Sequence, residues 1–247
     1  MATEMIATST DATHVKPPKA WKGAGMEGWI ARWYTRTRQR DIDDFRRQAE
    51  LVAAQLPVDG GRSADLLEVA PGPGFFSIEL AKLNPAFHIT ALDVSRTFVQ
   101  IATDNAIRAE VHIDVRQGSA SAMPLADESF DFVYCCAAFK NFAEPVKALD
   151  EMHRVLRPGG VAMVQDLRKD VSLEEIDAYV KESGRRWFDA WLTRFTFRHM
   201  LIKRAYTREQ FEDMARRSRF GGCQIDAGSI GFDVRLIKPT AAVAGAA

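Results

Sequence analysis

The segment ADLLEVAPGPG (64–74) constrains the fold more than any other part of the chain. A short, nearly continuous apolar run that stops at a glycine turn reads as a strand buried on both faces, and such strands belong to parallel sheets. The residues that follow keep this rhythm. FFSIELAKLN (75–84) has helical spacing, with Phe76, Leu80 and Leu83 on one side. HITALD (88–93) reads as a second strand, and Ser95 stands where it can cap a helix in which Phe98, Ile101 and Ala102 recur. VHIDVRQ (111–117), FDFVYCC (130–136) and VAMVQDL (161–167) read as three more strands. Between the last two, residues 144–156 form a helix with Leu149, Met152 and Leu156 inward, closed by Arg157-Pro158-Gly159-Gly160. Strands alternating with helices at this spacing predict an α/β fold, a parallel sheet with helices on both faces.

The flanks differ from this core. Residues 26–56 read as helical, with Trp29, Trp33 and Tyr34 in one cluster and Ile42, Phe45, Ala49 and Val52 at steps of three and four. After Asp170, residues 172–206 read as mostly helical, with Trp187, Trp191 and Phe195 four residues apart. Thr207 and Gln210 have the spacing of a capping box, so a further helix runs to about Arg219. CQIDA (223–227) and FDVRLIK (232–238) predict an antiparallel pair at the sheet edge. The expectation is one domain over 21–239: a helical cap (21–61), a core (62–168), a helical lid and substrate insert (170–206), and a closing helix with edge strands (207–239). Loose tails are expected at 1–20 and 240–247.

Composition removes several classes. Thirty-three basic residues balance thirty-three acidic ones, so no global charge points to nucleic acid or a membrane surface. Three cysteines, two of them adjacent, make neither a disulfide framework nor a metal site with separated pairs. No apolar run is long enough to span a membrane, and the first residues lack the basic-then-apolar pattern of a secretory leader, so a cytoplasmic location is expected.

A parallel sheet binds ligands beyond the carboxyl ends of its strands, where strand order reverses. The first strand ends in EVAPGPG (68–74), where Gly72 and Gly74 permit a sharp turn and close approach of a ligand. The second ends in Asp93, whose carboxylate can accept both vicinal hydroxyls of a ribose. A dinucleotide site wants a third glycine where this chain has Ser77, and no Gly-Lys-Ser/Thr phosphate cradle is present. The ligand expected is a nucleoside without a phosphate chain.

With those residues in view, EVAPGPG, ALDVS (91–95), GSASAMPLADESFDFVYC (118–135) and EMHRVLRPGG (151–160) resemble the successive motifs of class I S-adenosylmethionine-dependent methyltransferases. The resemblance covers about 62–168, with the edge pair also fitting, and implies a Rossmann-like sheet and S-adenosyl-L-methionine as cofactor. CAAFKNFAEPVKAL (136–149), including Asn141, is similar to the ubiquinone/menaquinone-biosynthesis methyltransferases. The resemblance implies that Glu68 and the turn Ala70, Pro71, Gly72 and Gly74 face the methionine moiety. It also implies that Asp93 holds the ribose, Val94 packs on the adenine, Ser119 and Ala120 meet the adenine edge, and the Cys135 backbone lies near the methionine amino group. Three positions depart from the family: Ala70-Pro71 stands where Gly-Cys is common, and Ser119 where an Asp is common.

Methyl transfer needs no enzyme nucleophile, so Cys135 and Cys136 read as small buried hydrophobes. Candidates for proton removal from an acceptor are Asp166, at the fifth strand end, and His199, in the insert, with Tyr34 and Tyr206 as orienting hydroxyls. His153 reads as a packing or surface residue. All five tryptophans lie outside the core, and the segments carrying them are expected to cover the cofactor and wall the acceptor pocket. Residues 181–219 carry eleven Lys or Arg against five acids, the ordinary look of a solvated helix face. The expected function is methyl transfer to a small organic acceptor, with the acceptor atom (O, N, S or C) left open; no membrane or nucleic-acid partner is expected. The alternatives are an RNA or protein methyltransferase using the basic insert, or a non-catalytic cofactor-binding protein.

Overall fold

The computed structural model describes residues 20–22, 25–56, 63–182 and 201–240. His199, Trp187 and Trp191, with residues 183–200 of the expected lid, lie outside them. So do residues 1–19 and 241–247.

Helix α1 (Gly28–Arg38) and α2 (Ile42–Ala53) precede the alternating core. The core runs β1 (Ala64–Val69), α3 (Phe75–Leu83), β2 (Phe87–Asp93), α4 (Arg96–Arg108), β3 (Asp114–Gln117), β4 (Phe130–Cys136), α5 (Pro145–Val155) and β5 (Leu156–Leu167). It is followed by α6 (Leu173–Glu182), α7 (Arg208–Arg217), β6 (Gln224–Ala227) and β7 (Gly231–Ile237). The seven strands lie in the order β3-β2-β1-β4-β5-β7-β6. All pairs from β3 to β5 are parallel, and β7 runs antiparallel to both β5 and β6. Strand order reverses between β1 and β4, so β1 and its outgoing turn stand at the crevice such sheets use for ligands.

Alternation along the strands sorts the core into two layers. Leu67, Val69, Val133, Cys135, Ala162 and Val164 face one way and bury Leu149 and Met152 of α5 and Phe211 and Ala215 of α7. Leu66, Phe132, Tyr134, Val161 and Met163 face the other way, against Ala49 and Val52 of α2 and Phe76 and Leu80 of α3. The capping box forms as predicted: the Thr207 hydroxyl accepts the Gln210 backbone N–H, and the Gln210 side chain accepts the Thr207 N–H.

Three boundaries and one side-chain cluster differ from the sequence reading. The 26–56 helix is broken by a 3-10 turn, Gln39–Asp41, where Asp41 draws in the Arg38 guanidinium at 2.9 Å. The third strand starts at Asp114 rather than 111. The Arg157–Gly160 segment is part of β5 rather than a turn before it, because Gly159 N–H donates to Lys238 O and Lys238 N–H donates to Gly160 O, both at 2.9 Å. The expected Trp29–Trp33–Tyr34 cluster is split: Tyr34 turns in, its ring edge-on to Phe98 at 5.9 Å, while Trp29 and Trp33 face outward, 77% and 49% exposed. Positions 29 and 33 share a helix face and position 34 lies about 100° around from 33, so the three cannot point together.

Candidate active site

The turn after β1 is built by backbone geometry. Ala70, Gly72 and Gly74 all have positive φ, at 59°, 55° and 76°. Ala70 N–H donates to Leu92 O at 2.8 Å, which ties the turn to the end of β2. A Cβ on Gly74 would stand 3.0 Å from the Ala102 Cβ, so glycine there lets α4 close onto the turn. Over Gly72 lies the Tyr34 ring, 3.8 Å from where a Cβ would be. Helix α1 therefore reaches the turn directly.

Two buried carboxylates flank this turn. Asp93 ends β2, and its Oδ2 accepts the Gly72 N–H at 3.1 Å while Oδ1 accepts the Ser95 N–H at 2.8 Å. Each oxygen keeps a further lone pair, so two vicinal hydroxyls can still donate to it. Burial, only partly offset by those N–H donors, pushes the Asp93 carboxyl up to about 6. Glu68 lies in β1, and its Oε2 accepts the hydroxyl of Ser77. Burial pushes its carboxyl up to about 7 against the pull of Ser77, and the nearby Asp93 adds to the rise. Ser77, read from sequence only as a missing glycine, thus has a task of its own: it holds the Glu68 carboxyl.

Beside the carboxylates is a narrow apolar slot lined by Val69, Ala70, Leu92, Val94, Ala120 and Phe142, closed by Ala20 and Trp21. Trp21 meets the Phe142 ring edge-on at 6.3 Å, and Lys22 N–H donates to Asn141 O at 2.7 Å. Residues 20–22 and 25–28 form a strap, which is pinned again further on. Ser95 Oγ donates to Met26 O at 2.7 Å, and Gly28 N–H donates to Thr97 Oγ1 at 3.0 Å. The Glu27 carboxylate accepts the N–H groups of Arg96 at 3.0 Å and Thr97 at 3.1 Å. Those donors are the orphan N–H groups of the first turn of α4, so the strap caps α4 from about seventy residues away.

The slot holds only about 10 Å³ with Ala20 and Trp21 in place, so a flat heterocycle enters it only as they give way, while a ribose suits Asp93 and a cation suits the region of Glu68. No basic side chain hydrogen-bonds to the turn among the described residues, which fits a nucleoside better than a phosphate chain. S-adenosylmethionine has that combination of parts. Among residues the family resemblance assigned, Ala70, Val94 and Ala120 line the slot, while the Ser119 hydroxyl accepts the Ser121 N–H at 3.2 Å. Cys135 is buried at the end of β4, and burial pushes its thiol well above the ordinary value.

The acceptor candidates are dispersed. Asp166 is engaged by Lys140, a residue with no place in the sequence reading. Lys140 Nζ donates to Asp166 Oδ1 and Lys140 N–H to Oδ2, at 2.7 and 2.8 Å, and Oδ1 also accepts the Leu167 N–H at 2.7 Å. This nearly fully buried ion pair locks the 3-10 turn Phe139–Asn141 over the ends of β4 and β5. Tyr206 packs on Phe139 and Phe211, and its hydroxyl accepts Lys22 Nζ at 2.5 Å. Tyr34 stands over the glycine turn. His153 stacks edge-on to Phe220 at 5.0 Å, the packing role expected of it.

Strand order, turn and carboxylate pair together fit the core expected from the resemblance to class I S-adenosylmethionine-dependent methyltransferases. Residues 67–164 match the family model described as a methyltransferase domain. The chain is 34% identical over 123 residues to the demethylmenaquinone methyltransferase of Chlorobaculum parvum, a match covering 50% of this chain and 49% of that protein. It thus spans about half the length of the curated relative it matches. Its fold is similar to that of a candidate S-adenosyl-L-methionine-dependent methyltransferase from Methanococcus maripaludis, with TM-score 0.69 and 20% identity, covering 90% of this chain and 98% of that one. It is also similar, at TM-score 0.57 and 22% identity, to the 4+2 cyclase SpnF, covering 79% and 81%. At these identities the structural likenesses speak for the fold alone. No described helix is long and apolar enough to cross a membrane.

Proposed function

We propose that this protein transfers the methyl group of S-adenosylmethionine to a small organic acceptor. The observation that carries this reading is the pairing of two buried carboxylates, Glu68 and Asp93, across a left-handed glycine turn beside an apolar slot. When bound, the cofactor supplies an electrophilic methyl on a sulfonium. The chain's own part is to hold the ribose at Asp93, to take the methionine end beside Glu68 and Cys135, to stack the adenine between Val94, Ala120 and Trp21, and to exclude water. Proximity in a dry site is the main source of acceleration in such a displacement, since the leaving group departs neutral.

The acceptor reading follows from the Chlorobaculum relative, named as a demethylmenaquinone methyltransferase, and from the 136–149 segment. It is a quinone-type ring compound, taken as its hydroquinone so that the ring carbon is electron-rich. Of the four candidates for proton handling, Tyr34 is favoured by its place against Gly72. Asp166 already serves Lys140 and Leu167, which suits it to hold the acceptor-side turn rather than to take a proton. His199 stays a candidate in the insert, and Tyr206 an orienting group.

The test is conversion of labelled S-adenosylmethionine with a panel containing a reduced naphthoquinone, a phenol, an amine, a thiol and an unmodified transfer RNA. Labelled methyl should appear on the naphthoquinone. Binding of S-adenosylhomocysteine with no transfer to any member would favour a binding or cyclising role on the same fold, and label on the RNA alone would return the basic insert to the foreground.

A further inference from the structure

Helix α1 has two different faces. Its inner face seats Ala31 in the core and Tyr34 on Phe98 and the glycine turn. Its outer face carries Trp29, Arg32, Trp33 and Arg36, at steps of three, one and three, which form one continuous stripe. Trp29 is 77% exposed and Trp33 49%, an unusual display for the residue type with the largest apolar area. Arg32 and Arg36 are also exposed, and neither makes an ion pair or a side-chain hydrogen bond among the described residues.

The charge around this stripe has one sign. Helix α1 contains three arginines and no acidic residue. The acids at its two ends are engaged elsewhere: Glu27 caps α4, and Asp41 holds Arg38, whose guanidinium also lies over the Phe45 ring at 4.8 Å. In a chain with zero formal net charge this is a local concentration of positive charge together with two tryptophans. Indole rings prefer the depth of lipid headgroups, with an apolar body toward the chains and an N–H toward water. Arginines beside them at the same depth meet lipid phosphates, each adding attraction to an anionic surface.

We propose that the outer face of α1 docks the protein on an anionic lipid bilayer, Trp29 and Trp33 entering the headgroup layer and Arg32 and Arg36 pairing with phosphates. Attachment is peripheral. The proposal stands apart from the methyl-transfer reading, because it uses none of the residues placed at the cofactor. It adds one consequence to that reading: the helix pressed against the bilayer is the helix whose Tyr34 covers the glycine turn, so a lipophilic acceptor would have a short path to the site.

The test is co-sedimentation of the full chain with two kinds of vesicle, phosphatidylcholine mixed with phosphatidylglycerol and phosphatidylcholine alone. Trp29→Ala/Trp33→Ala and Arg32→Gln/Arg36→Gln are run in parallel, and S-adenosylhomocysteine binding by each protein verifies its fold. The expected result is binding to the mixed vesicles, weakened by salt and by omission of phosphatidylglycerol, and reduced about tenfold or more in each double variant. Absence of binding to the mixed vesicles overturns the proposal, and so does equal binding by parent and variants. A concentration-dependent dimer that Trp29→Ala/Trp33→Ala dissolves, without vesicle binding, would instead assign the stripe to a second copy of the chain. Failure of cofactor binding by the parent would count against the site assignment and leave the vesicle result to be read alone.

Discussion

At the scale of single residues, the two carboxylates make the energetics of the site depend on pH. Glu68 is raised from its ordinary 4.5 to about 7, chiefly by burial. The ligand-free folded state therefore holds a proton that the unfolded chain has already lost over that interval. Its contribution to stability is fully present below the unfolded value and is lost as pH rises through about 7, with Asp93, raised to about 6, acting in the same direction. Urea denaturation between pH 4 and 8 should show the parent losing on the order of 3 kcal/mol more than Glu68→Gln over the rise. Parallel profiles for the two would show that Glu68 titrates normally. Ala70 gives a second residue-scale prediction. Its φ of 59° puts a Cβ in the left-handed region, which costs about 1 kcal/mol for a residue other than glycine. Ala70→Gly should raise the unfolding free energy by about 0.5 kcal/mol, the gain being reduced by the greater freedom of glycine in the unfolded chain. A loss of stability would mean that the Ala70 methyl is needed for packing in the slot.

At the scale of elements, residues 20–22 and 25–28 form one wall of the candidate site with helix α1. Lys22 is fastened to the Phe139–Asn141 turn and Met26 and Gly28 to the start of α4, and Trp21 closes the apolar slot. Adding S-adenosylhomocysteine should change tryptophan emission and slow proteolysis within 20–28, and Trp21→Ala should weaken its binding by about tenfold through lost stacking area. Unchanged affinity in that variant would make the strap a packing element only. Much of this level was visible in the sequence. The strand β1, its turn, β2 and Asp93 are local features, each written in a run of adjacent residues with a simple period. What stayed hidden was long-range: Glu27 capping α4, Lys140 pairing with Asp166, and Ser77 holding Glu68 all join residues whose proximity only the folded sheet creates. The faces of α1 were hidden for another reason. Aromatic residues surround that helix, so periodicity alone does not say whether Tyr34 or the two tryptophans turn inward.

At the scale of the whole molecule, the edge expected to hold a nucleoside is built without a phosphate cradle. The β1–β4 reversal opens the crevice, the left-handed turn brings backbone close to it, and the buried carboxylates set its polarity. Seven of the eleven basic residues at 181–219 are described, and Arg208, Arg216 and Arg217 pair with Glu212 and Asp213 of their own helix α7, the solvated face that the sequence suggests. Calorimetric titration of S-adenosylhomocysteine into the parent and Asp93→Ala tests most directly whether Asp93 holds a ribose. The parent should bind, NADH should not, and Asp93→Ala should lose at least tenfold in affinity, since two hydrogen bonds to a charged acceptor are removed. Binding of S-adenosylhomocysteine by Asp93→Ala with the parent's affinity, or binding of NADH in its place, would contradict the assignment of this edge.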